Sequence, residues 1–333
     1  MNFNPKNRAK ALGLCSGGLD SMLAALLLRE QGVDVHWISF ETPFFSAEKA
    51  RRASKITGIP LYVQNITDVY LKMLKAPPCG YGKHMNPCLD CHALMFRLAG
   101  AIMADRGFDF LFSGEVLGQR PMSQTRPSLR YVEKHSDYDG YIVRPLSAKR
   151  LDETLPERNG LIQRDLLLGI TGRGRKEQIE LAKRFGITDY PAPAGGCLLT
   201  DKGFSNRLRD LFDHQETCTE NELHLLKLGR HFRVDAQTKI IVGRTKADNQ
   251  AMMEYVNPEK DTLLRLHRNP GPLGVIPHGA SKEMTHLAAS LCAGYGKVSP
   301  GTPVQVKVTN EGLSEIVTVP SISPAEGARY LIR

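Results

Sequence analysis

The sequence LCSGGLDS, residues 14–21, decides the fold. It lies between an apolar run typical of a strand and an apolar run typical of a helix, a position where backbone N–H groups and a helix N-terminus can bind phosphate. SGG alone is a common turn, but the full segment after a first strand is far more specific, and it lacks the lysine of a Walker loop. Its glycines let the backbone approach a ligand closely, and its carboxylate can hold Mg²⁺ against phosphates. We therefore expect a nucleotide and magnesium site at Ser16, Gly17, Gly18, Leu19, Asp20 and Ser21.

Strand-like and helix-like runs alternate from residue 10 to residue 116. Helices are expected at about residues 21–31, 47–57 and 91–106, because apolar residues recur there at helical spacing. The expected strands are KALGLCS (10–16), VDVHWISF (33–40), PLYVQNI (60–66) and FDFLFSGE (108–115). This alternation predicts an α/β fold with a doubly wound parallel sheet and right-handed crossovers. Ligands then belong at the carboxyl ends of the strands.

The length of 333 residues predicts a second domain, since one domain usually has roughly 100 to 200 residues. We place the boundary after the turn-rich PAPAGGCLLTD, giving residues 1–201 as the catalytic domain and 202–333 as a smaller α+β domain. The second part is expected to contain helices near 204–212, 220–228 and 246–255. Its expected strands are TKIIVGR (238–244) and an antiparallel pair, PVQVKVT (303–309) and SEIVTVPS (314–321).

Composition limits the compartment and the partners. No apolar run approaches the roughly 20 residues needed to cross a bilayer, and no signal segment is evident. We therefore expect a soluble, cytoplasmic protein without a membrane partner. In such a reducing compartment a close cysteine pair indicates metal binding or catalysis before a disulfide. The net charge of +9 favours a polyanionic partner.

Three of the seven cysteines lie in segments that suit chemistry. Cys88 and Cys91, in NPCLDCH (86–92), open a predicted helix, and the N-terminus of a helix lowers the pKa of a thiol. Both are expected to ionise. Cys197, in the glycine-rich AGGCL (194–198), can reach the same strand-end crevice in a doubly wound fold. Three thiolates can hold a four-iron, four-sulfur (4Fe-4S) cluster and leave one iron without a protein ligand, free to bind a further sulfur.

Two other interpretations of these cysteines stay open. In one, Cys197 carries a persulfide and a second cysteine resolves it as a disulfide, with no cluster. In the other, Zn²⁺ is held in a structural site that Cys79, His84 or His92 completes. Cys79 otherwise lies in a turn and is left out of the cluster. The candidate catalytic residues are therefore Cys88, Cys91, Cys197 and Asp20.

Three segments resemble known families. SGGLDS (16–21) matches the SGGxDS signature of the PP-loop ATP pyrophosphatases, which adenylate a carbonyl or amide oxygen on an adenine nucleotide alpha hydrolase-like fold. SGEVLGQ (113–119), followed by SQT (123–125) and RPL (144–146), resembles the tRNA 4-thiouridine synthetase family and, in less detail, the tRNA 2-thiouridylases. The resemblance covers about residues 10–201 and implies that ATP is converted to AMP and pyrophosphate.

The resemblance also implies roles for further residues. Gly114 and Gln119 belong to the second segment, and Ser39 and Phe40 occupy the strand end where PP-loop relatives hold adenine. A CxxC pair with one distant cysteine is similar to the iron-sulfur-dependent subset of tRNA thiolation enzymes. Thiouridine synthetases usually carry an RNA-binding THUMP domain ahead of the loop, whereas here the loop lies near the start of the sequence.

Basic segments are the candidates for RNA contact. GRHFR (229–233), VGRTKADN (242–249) and RLHR (265–268) resemble the RNA-binding module of NFACT proteins, which would replace a THUMP domain as the tRNA grip. Their basic residues would contact phosphates without sequence preference. A solvated basic surface or a scaffold role is the alternative. The candidate RNA-binding residues are Arg120, Arg173, Arg230, Arg233, Arg244 and Arg268.

Together these features predict a tRNA sulfurtransferase. A uridine carbonyl oxygen attacks the α-phosphate of ATP, and sulfur from sulfide or a cysteine desulfurase then replaces the adenylated oxygen. The sequence leaves open whether the protein forms a homodimer. The rival hypotheses are a PP-loop enzyme that thiolates or amidates a small metabolite, and a non-catalytic RNA-binding or metal-sensing protein.

Overall fold

The computed structural model describes residues 8–192 and 197–333. The chain divides into two compact units, of which unit 1 ends at Cys197 and unit 2 begins at Leu198. This division lies close to the boundary expected after residue 201, and the catalytic and RNA-binding roles of the two parts stay predictions. Within the described ranges, no helix combines the length and the apolar character that crossing a membrane requires.

Unit 1 alternates strands and helices along the chain. Its strands are β1 (Lys10–Leu14), β2 (Asp34–Glu41), β3 (Leu61–Asn65), β4 (Phe110–Ser113) and β5 (Ile142–Val143). Its helices are α1 (Leu19–Glu30), α2 (Glu48–Thr57), α3 (Thr67–Lys75), α4 (Cys88–Arg106), α5 (Arg126–His135), α6 (Leu155–Arg158) and α7 (Lys176–Arg184).

The sheet of unit 1 has the strand order β3-β2-β1-β4-β5, and all four pairings are parallel. The order reverses beside β1, because β2 pairs with one of its edges and β4 with the other. Such a reversal opens a crevice at the carboxyl ends of the two strands. Leu14, the last residue of β1, is paired with Ser113, the last of β4. The doubly wound parallel sheet expected from the sequence is confirmed.

Helix α1 is the central helix of unit 1. All residues from Leu19 to Leu28 are buried except Asp20, because the helix packs against the sheet on one side and makes further contacts with α7. Burying an apolar side chain contributes roughly 1.5 to 3 kcal/mol. Nearly every position of α1 therefore stabilises its place behind the turn that joins it to β1.

Unit 2 is built on an antiparallel sheet. Its strands are β6 (Arg230–Arg233), β7 (Lys239–Val242), β8 (Thr262–Leu266), β9 (Leu273–Ile276), β10 (Pro303–Asn310) and β11 (Leu313–Pro320), in the order β11-β10-β8-β9-β7-β6. Its helices are α8 (Lys202–His214), α9 (Glu220–Leu225), α10 (Lys246–Met253), α11 (Lys282–Gly294) and α12 (Pro324–Gly327). The smaller α+β domain is confirmed, including the antiparallel pairing of β10 with β11.

Candidate active site

The phosphate loop is the turn between β1 and α1. Gly17 has a φ of +70°, and a Cβ at this position would lie 2.2 Å from the carbonyl carbon of Lys49. Only glycine fits there, because both the backbone conformation and the available space exclude a side chain. The hydroxyl of Ser21 donates a hydrogen bond of 2.7 Å to the carbonyl oxygen of Gly18, the residue that precedes α1. The loop therefore holds its shape through its own contacts.

The predicted loop residues differ in what they can offer a ligand. Ser16 is exposed and accepts a hydrogen bond from the Gly18 N–H at 3.4 Å. The side chain of Leu19 is only 1% exposed and belongs to the core, so its backbone alone remains for a phosphate. The hydroxyl of Ser21 is already used to shape the loop.

Asp20 has one occupied and one unoccupied carboxylate oxygen. Its Oδ2 accepts a hydrogen bond of 3.1 Å from the side-chain amide of Gln119, whereas its Oδ1 is buried and has no hydrogen-bond partner among residues 8–192 and 197–333. Burial raises the pKa of Asp20, against the opposing effects of Gln119, Arg175 and Arg120. A buried carboxylate oxygen without a donor is costly unless a cation or a hydrogen-bond donor satisfies it. Asp20 therefore fits the role of a magnesium ligand.

The segment after β4 completes this loop. A Cβ on Gly114 would lie 2.4 Å from both the carbonyl carbon of Asp20 and the backbone nitrogen of Ser21. The chain therefore packs directly on the first turn of α1, and Gln119 reaches Asp20 from the same segment. The two predicted motifs, separated by about a third of the chain, meet at one place.

The predicted adenine residues are less accessible. Ser39 and Phe40 lie inside β2, are 7% and 4% exposed, and pair with β3. Their assignment to adenine stays a prediction that rests on the resemblance alone.

The three predicted cysteines meet in unit 1. Cys88 is the first residue of α4, and Cys91 lies one turn later. Cys91 is within electrostatic reach of Cys88 and Cys197, and the hydroxyl of Tyr70 hydrogen-bonds to its sulfur. Tyr70 itself interacts with all three thiols. The doubly wound fold thus brings Cys197 to the cysteine pair, while residues 194–196 of its predicted turn lie outside the described residues.

Tyr70 is a site residue that the sequence analysis missed. It lies on α3, is 1% exposed, and its ring contacts Phe44 and Phe45 at centroid distances of 5.7 and 5.2 Å. A single tyrosine in a short amphipathic helix ordinarily indicates core packing, so only the fold could identify it.

The expectation that both cysteines of the pair ionise readily is wrong for Cys91. Burial is the main reason that the pKa of its thiol is raised to about 12; the neighbouring Cys197, Cys88 and Asp90 contribute to the rise, and the hydrogen bond from Tyr70 opposes it. The favourable effect of a helix N-terminus is smaller than the cost of placing a thiolate in a poorly solvated site. Cys91 therefore needs a cationic partner to become a thiolate.

The donors fit an iron-sulfur group by their chemistry. Three thiols share one site, and Tyr70 and Asn86 donate to the sulfurs of Cys91 and Cys88, the latter at 3.4 Å. Hydrogen bonds to cluster sulfurs are among the features that tune such groups. The positions of the side chains do not form a metal site: in the described parts of the chain, no group of three or more His, Cys, Asp or Glu residues is placed to hold a metal ion. The cluster, Zn²⁺ and persulfide interpretations all stay predictions.

Two family models match the chain. Residues 7–153 match the model described as thiamine biosynthesis protein (ThiI), and residues 229–331 match the model of the NFACT protein RNA binding domain. Residues 7–153 are therefore ThiI-like, and residues 229–331 form an NFACT-like region. The resemblances to a thiouridine synthetase and to an NFACT module are thereby confirmed. The ThiI match supports an ATP-using enzyme of the PP-loop group.

Similar solved structures cover parts of the chain. An NMN synthetase from Francisella tularensis is 15% identical with a TM-score of 0.34, over 66% of this chain and 84% of that one. A predicted subunit of a tRNA methyltransferase from Methanocaldococcus jannaschii is 19% identical with a TM-score of 0.35, over 53% and 74%. The C-terminal part of the fibronectin/fibrinogen-binding protein from Streptococcus suis is 15% identical with a TM-score of 0.27, over 39% and 67%. Identities and TM-scores as low as these indicate no activity for this chain.

A buried ionic network joins the two halves of the ThiI-like site. Glu115, 6% exposed, accepts hydrogen bonds from His92 Nδ1 at 2.9 Å, Arg144 Nε at 3.0 Å and Ser113 Oγ at 3.0 Å. Arg144 also pairs with Glu133. Although burial alone would raise the pKa of Glu115, Arg144 and His92 lower it to about 2. His92 adjoins Cys91 and Glu115 adjoins Gly114, so the network connects the cysteine helix to the phosphate loop.

The predicted RNA-binding arginines have different surroundings. Arg233 in the NFACT-like region donates hydrogen bonds from Nε and Nη2 to the carboxylate of Asp210, both at 2.9 Å. Its guanidinium therefore stabilises the fold of this unit. Arg230 lies over the ring of Tyr295, and Arg244 pairs with Asp248 at the surface. Arg268, Arg120 and Arg173 are exposed. Their contact with RNA stays a prediction.

Proposed function

We propose that the chain is an ATP-dependent tRNA sulfurtransferase that makes a thiouridine. The observation that supports it most is the position of the segment Gly114–Glu115. Its glycine packs on the phosphate loop, and its carboxylate binds His92 beside Cys91. A nucleotide loop and a three-thiol site therefore share one supporting segment, and such an arrangement suits a reaction that activates an oxygen and then replaces it with sulfur.

The loop residues serve the first step. Backbone N–H groups around Gly17 and Gly18 and the N-terminus of α1 would bind the triphosphate, and the free oxygen of Asp20 would hold Mg²⁺. The uridine carbonyl oxygen attacks the α-phosphorus, the bond to the β-phosphate oxygen breaks, and pyrophosphate leaves. Arg120 and Arg175, which act electrostatically on Asp20, would stabilise the negative charge that develops on the phosphate.

The cysteines serve the second step. Cys88, Cys91 and Cys197 would hold a 4Fe-4S cluster, which supplies, when bound, an iron with an open position for sulfide. The hydrogen bond from Tyr70 orients the Cys91 sulfur, and the Glu115–His92 contact fixes the helix that carries it. Sulfide bonds to the activated carbon, the bond from carbon to the adenylate oxygen breaks, and AMP leaves. No oxidant or reductant is consumed.

Persulfide chemistry is the second candidate, and the electrostatic reach between Cys91 and Cys197 suits it, because a disulfide between these two cysteines would form in its last step. The outer sulfur of a Cys197 persulfide would bond to the activated carbon as AMP leaves. Cys91 would then bond to the inner sulfur, releasing the thiolated base and leaving a disulfide, which an external thiol would reduce.

The RNA substrate rests on the NFACT-like region and on the charge of +9. A base in folded RNA must leave its stack to reach the crevice, and basic residues would hold the backbone while it does so. A free metabolite would not need this region.

The test is a tRNA thiolation assay under anaerobic conditions. The purified chain, ATP, Mg²⁺, tRNA and sulfide are expected to yield pyrophosphate and a thiolated nucleoside that mass spectrometry detects. Cys197→Ala is expected to abolish the thiolated nucleoside, while Cys218→Ala, in unit 2, serves as the matched control. Iron content and visible absorption separate the cluster from the persulfide. Pyrophosphate release with no thiolated nucleoside would contradict the proposal.

A further inference from the structure

Strands β8, β10 and β11 have an outer face that is turned away from helix α11. Their inner face forms a core with α11, to which Leu264, Val304 and Val306 belong. Because side chains alternate along a strand, the residues between these apolar positions point to the other side. Strand pairing places nine of them in three rows, which we call the basic sheet face: His267, Gln305 and Thr318; Arg265, Lys307 and Ile316; Leu263, Thr309 and Ser314.

The basic sheet face differs from the rest of the same outer surface. Further along the sheet, β7 and β9 carry the apolar Ile241, Leu273 and Val275 on this side, and these are buried in a second core with residues of α9 and α10. On the basic sheet face only Leu263 and Thr309 are partly buried, and the other members are exposed. In the part of the chain that the structure describes, the apolar part of this surface is therefore covered and the polar part is open.

The fixed charges of the basic sheet face are both positive. Arg265 and Lys307 stand directly opposite each other on paired strands, where like charges are unfavourable and opposite charges would stabilise the sheet. Arg265 donates to the neutral sulfur of Met253 at 3.2 Å, and within residues 8–192 and 197–333 neither cation has an ion pair. The acidic residues of the same hairpin lie elsewhere, since Glu311 is in its turn and Glu315 belongs to the other face. An anion from outside the chain would offset the repulsion.

A surface of this kind suits an extended polyanion. Single exposed cations are ordinary, whereas two cations opposite each other on a face without a carboxylate add their potentials at one place. Beside them, the amide of Gln305 and the hydroxyl of Thr318 are exposed donors of the uncharged type that phosphate and sugar oxygens also accept. A small ligand ordinarily binds in a concave pocket, but an open sheet face has room for the backbone of a nucleic acid.

We propose that the basic sheet face binds the sugar-phosphate backbone of the RNA substrate, with Arg265 and Lys307 as its phosphate contacts. Ile316, directly opposite Lys307, offers a ribose or a base an apolar surface. The proposal rests on the RNA-binding part of the proposed function. It places RNA near the β11 edge of the sheet, whereas the candidates Arg230 and Arg233 lie on β6 at the opposite edge.

The first test removes the cations one at a time in the full chain. Affinity for tRNA is measured as a function of salt. Arg265→Gln and Lys307→Gln are each expected to weaken binding about tenfold and to reduce the slope of log affinity against log salt by about 0.9. Lys282→Gln is the matched control, because Lys282 is exposed at the start of α11, which packs on the inner face of the sheet. It is expected to leave the slope almost unchanged.

A second pair of variants tests the face without removing a cation. Ile316→Glu places a carboxylate directly opposite Lys307, whereas Leu313→Glu places one on the same strand but on the other face. Both positions are exposed, at 50% and 79%. The new pair with Lys307 should keep or raise the midpoint of urea unfolding, so that unfolding does not explain a loss of affinity. Ile316→Glu is expected to weaken tRNA binding about tenfold, and Leu313→Glu by less than about twofold.

The outcomes separate the basic sheet face from the proposed function. If the wild type binds tRNA and Arg265→Gln, Lys307→Gln and Ile316→Glu all leave affinity and slope unchanged, the face is wrong while the proposed function stands. If Leu313→Glu weakens binding as much as Ile316→Glu, total charge governs binding and the proposal for this face is overturned. If the variants behave as expected but the wild type forms no thiolated nucleoside, the face stands and the proposed function fails.

Discussion

The phosphate loop and the three-cysteine site lie in the same unit, but they are built differently. The loop is a short stretch of chain whose shape is fixed by backbone space at Gly17 and by the hydrogen bond between Ser21 and Gly18. The cysteine site joins the start of α4 to Cys197, and its side chains stand near one another without forming a metal-binding arrangement in the described residues. A loop whose backbone is held by its own hydrogen bond and by close packing of other segments keeps its shape without a ligand, whereas thiols that only stand near one another depend more on what binds there.

Removing the ionic link between the two sites is expected to have the largest effect. Glu115→Gln leaves the buried Arg144 with only Glu133 as a counterion, so the free energy of unfolding should fall by about 4 kcal/mol. Urea unfolding measures this. Glu153→Gln is the matched control, because Glu153 is 54% exposed and lies 4.0 Å from Arg164; its effect should stay under about 1 kcal/mol. Equal effects of the two variants would contradict the role of the network.

The same link predicts a pH dependence. The pKa of Glu115 is lowered from 4.5 to about 2 in the folded protein. A carboxylate with a lowered pKa in the folded state stabilises the protein above its unfolded pKa, and this stabilisation is lost as pH falls through the folded value. The stability of the wild type should therefore fall between about pH 4.5 and pH 2, and Glu115→Gln should fall less over this window. If the stability of the wild type and of Glu115→Gln fell in parallel over this pH window, the assignment of the acid-induced loss to Glu115 would be contradicted.

Changing the loop alone is expected to have a smaller but local effect. Gly17→Ala combines a positive φ with a Cβ that would lie 2.2 Å from the backbone of Lys49, so it should cost about 3 kcal/mol and abolish ATP binding. Gly32→Ala is the control, because Gly32 has a φ of +85° but no atom within 4 Å of the added Cβ. It should cost about 1 kcal/mol and leave ATP binding intact. Titration calorimetry measures ATP binding by both variants. Loss of binding in both would show that backbone strain at a positive φ, and not the contact with Lys49, abolishes ATP binding.

The cysteine site should show the smallest change in stability. Tyr70→Phe removes the hydrogen bond to Cys91, which is worth about 1 kcal/mol, and is expected to lower the iron retained after anaerobic reconstitution. Tyr62→Phe is the control, because the hydroxyl of this half-buried tyrosine has no hydrogen bond among the described residues. Equal iron content in the two variants would remove Tyr70 from the site.

The sequence predicted most of the architecture of unit 1, because apolar periodicity and glycine-rich turns follow directly from the geometry of strands and helices. It also singled out Gly17, Gly114 and Gln119 from two motifs, and the structure places them together beside Asp20 and Ser21; their binding of a nucleotide stays a prediction. It did not predict α3, α5, α6, α12, β5, β6, β8 or β9, nor α11, in which residues 288–293 are all buried and so give no amphipathic pattern. Short elements carry few periods, and tertiary contacts then decide their structure.

The remaining site residues could not be predicted, because their roles depend on contacts between distant segments. The pKa of Cys91 follows from burial, which cannot be deduced from its place at the start of a helix. Arg233 appears as a basic surface residue until the structure shows Asp210 bound to it.

The contact of Gln119 with Asp20 spans 99 positions of the chain. A nascent polypeptide that has been synthesised only as far as α4 therefore has the glycine turn between β1 and α1. It still lacks β4, Gly114 and the side-chain amide of Gln119, which complete this turn. Nucleotide affinity should therefore appear only after more than the first third of the chain has been synthesised, once β4 has docked beside β1. Retention on immobilised ATP would then report whether a preparation has folded through this stage.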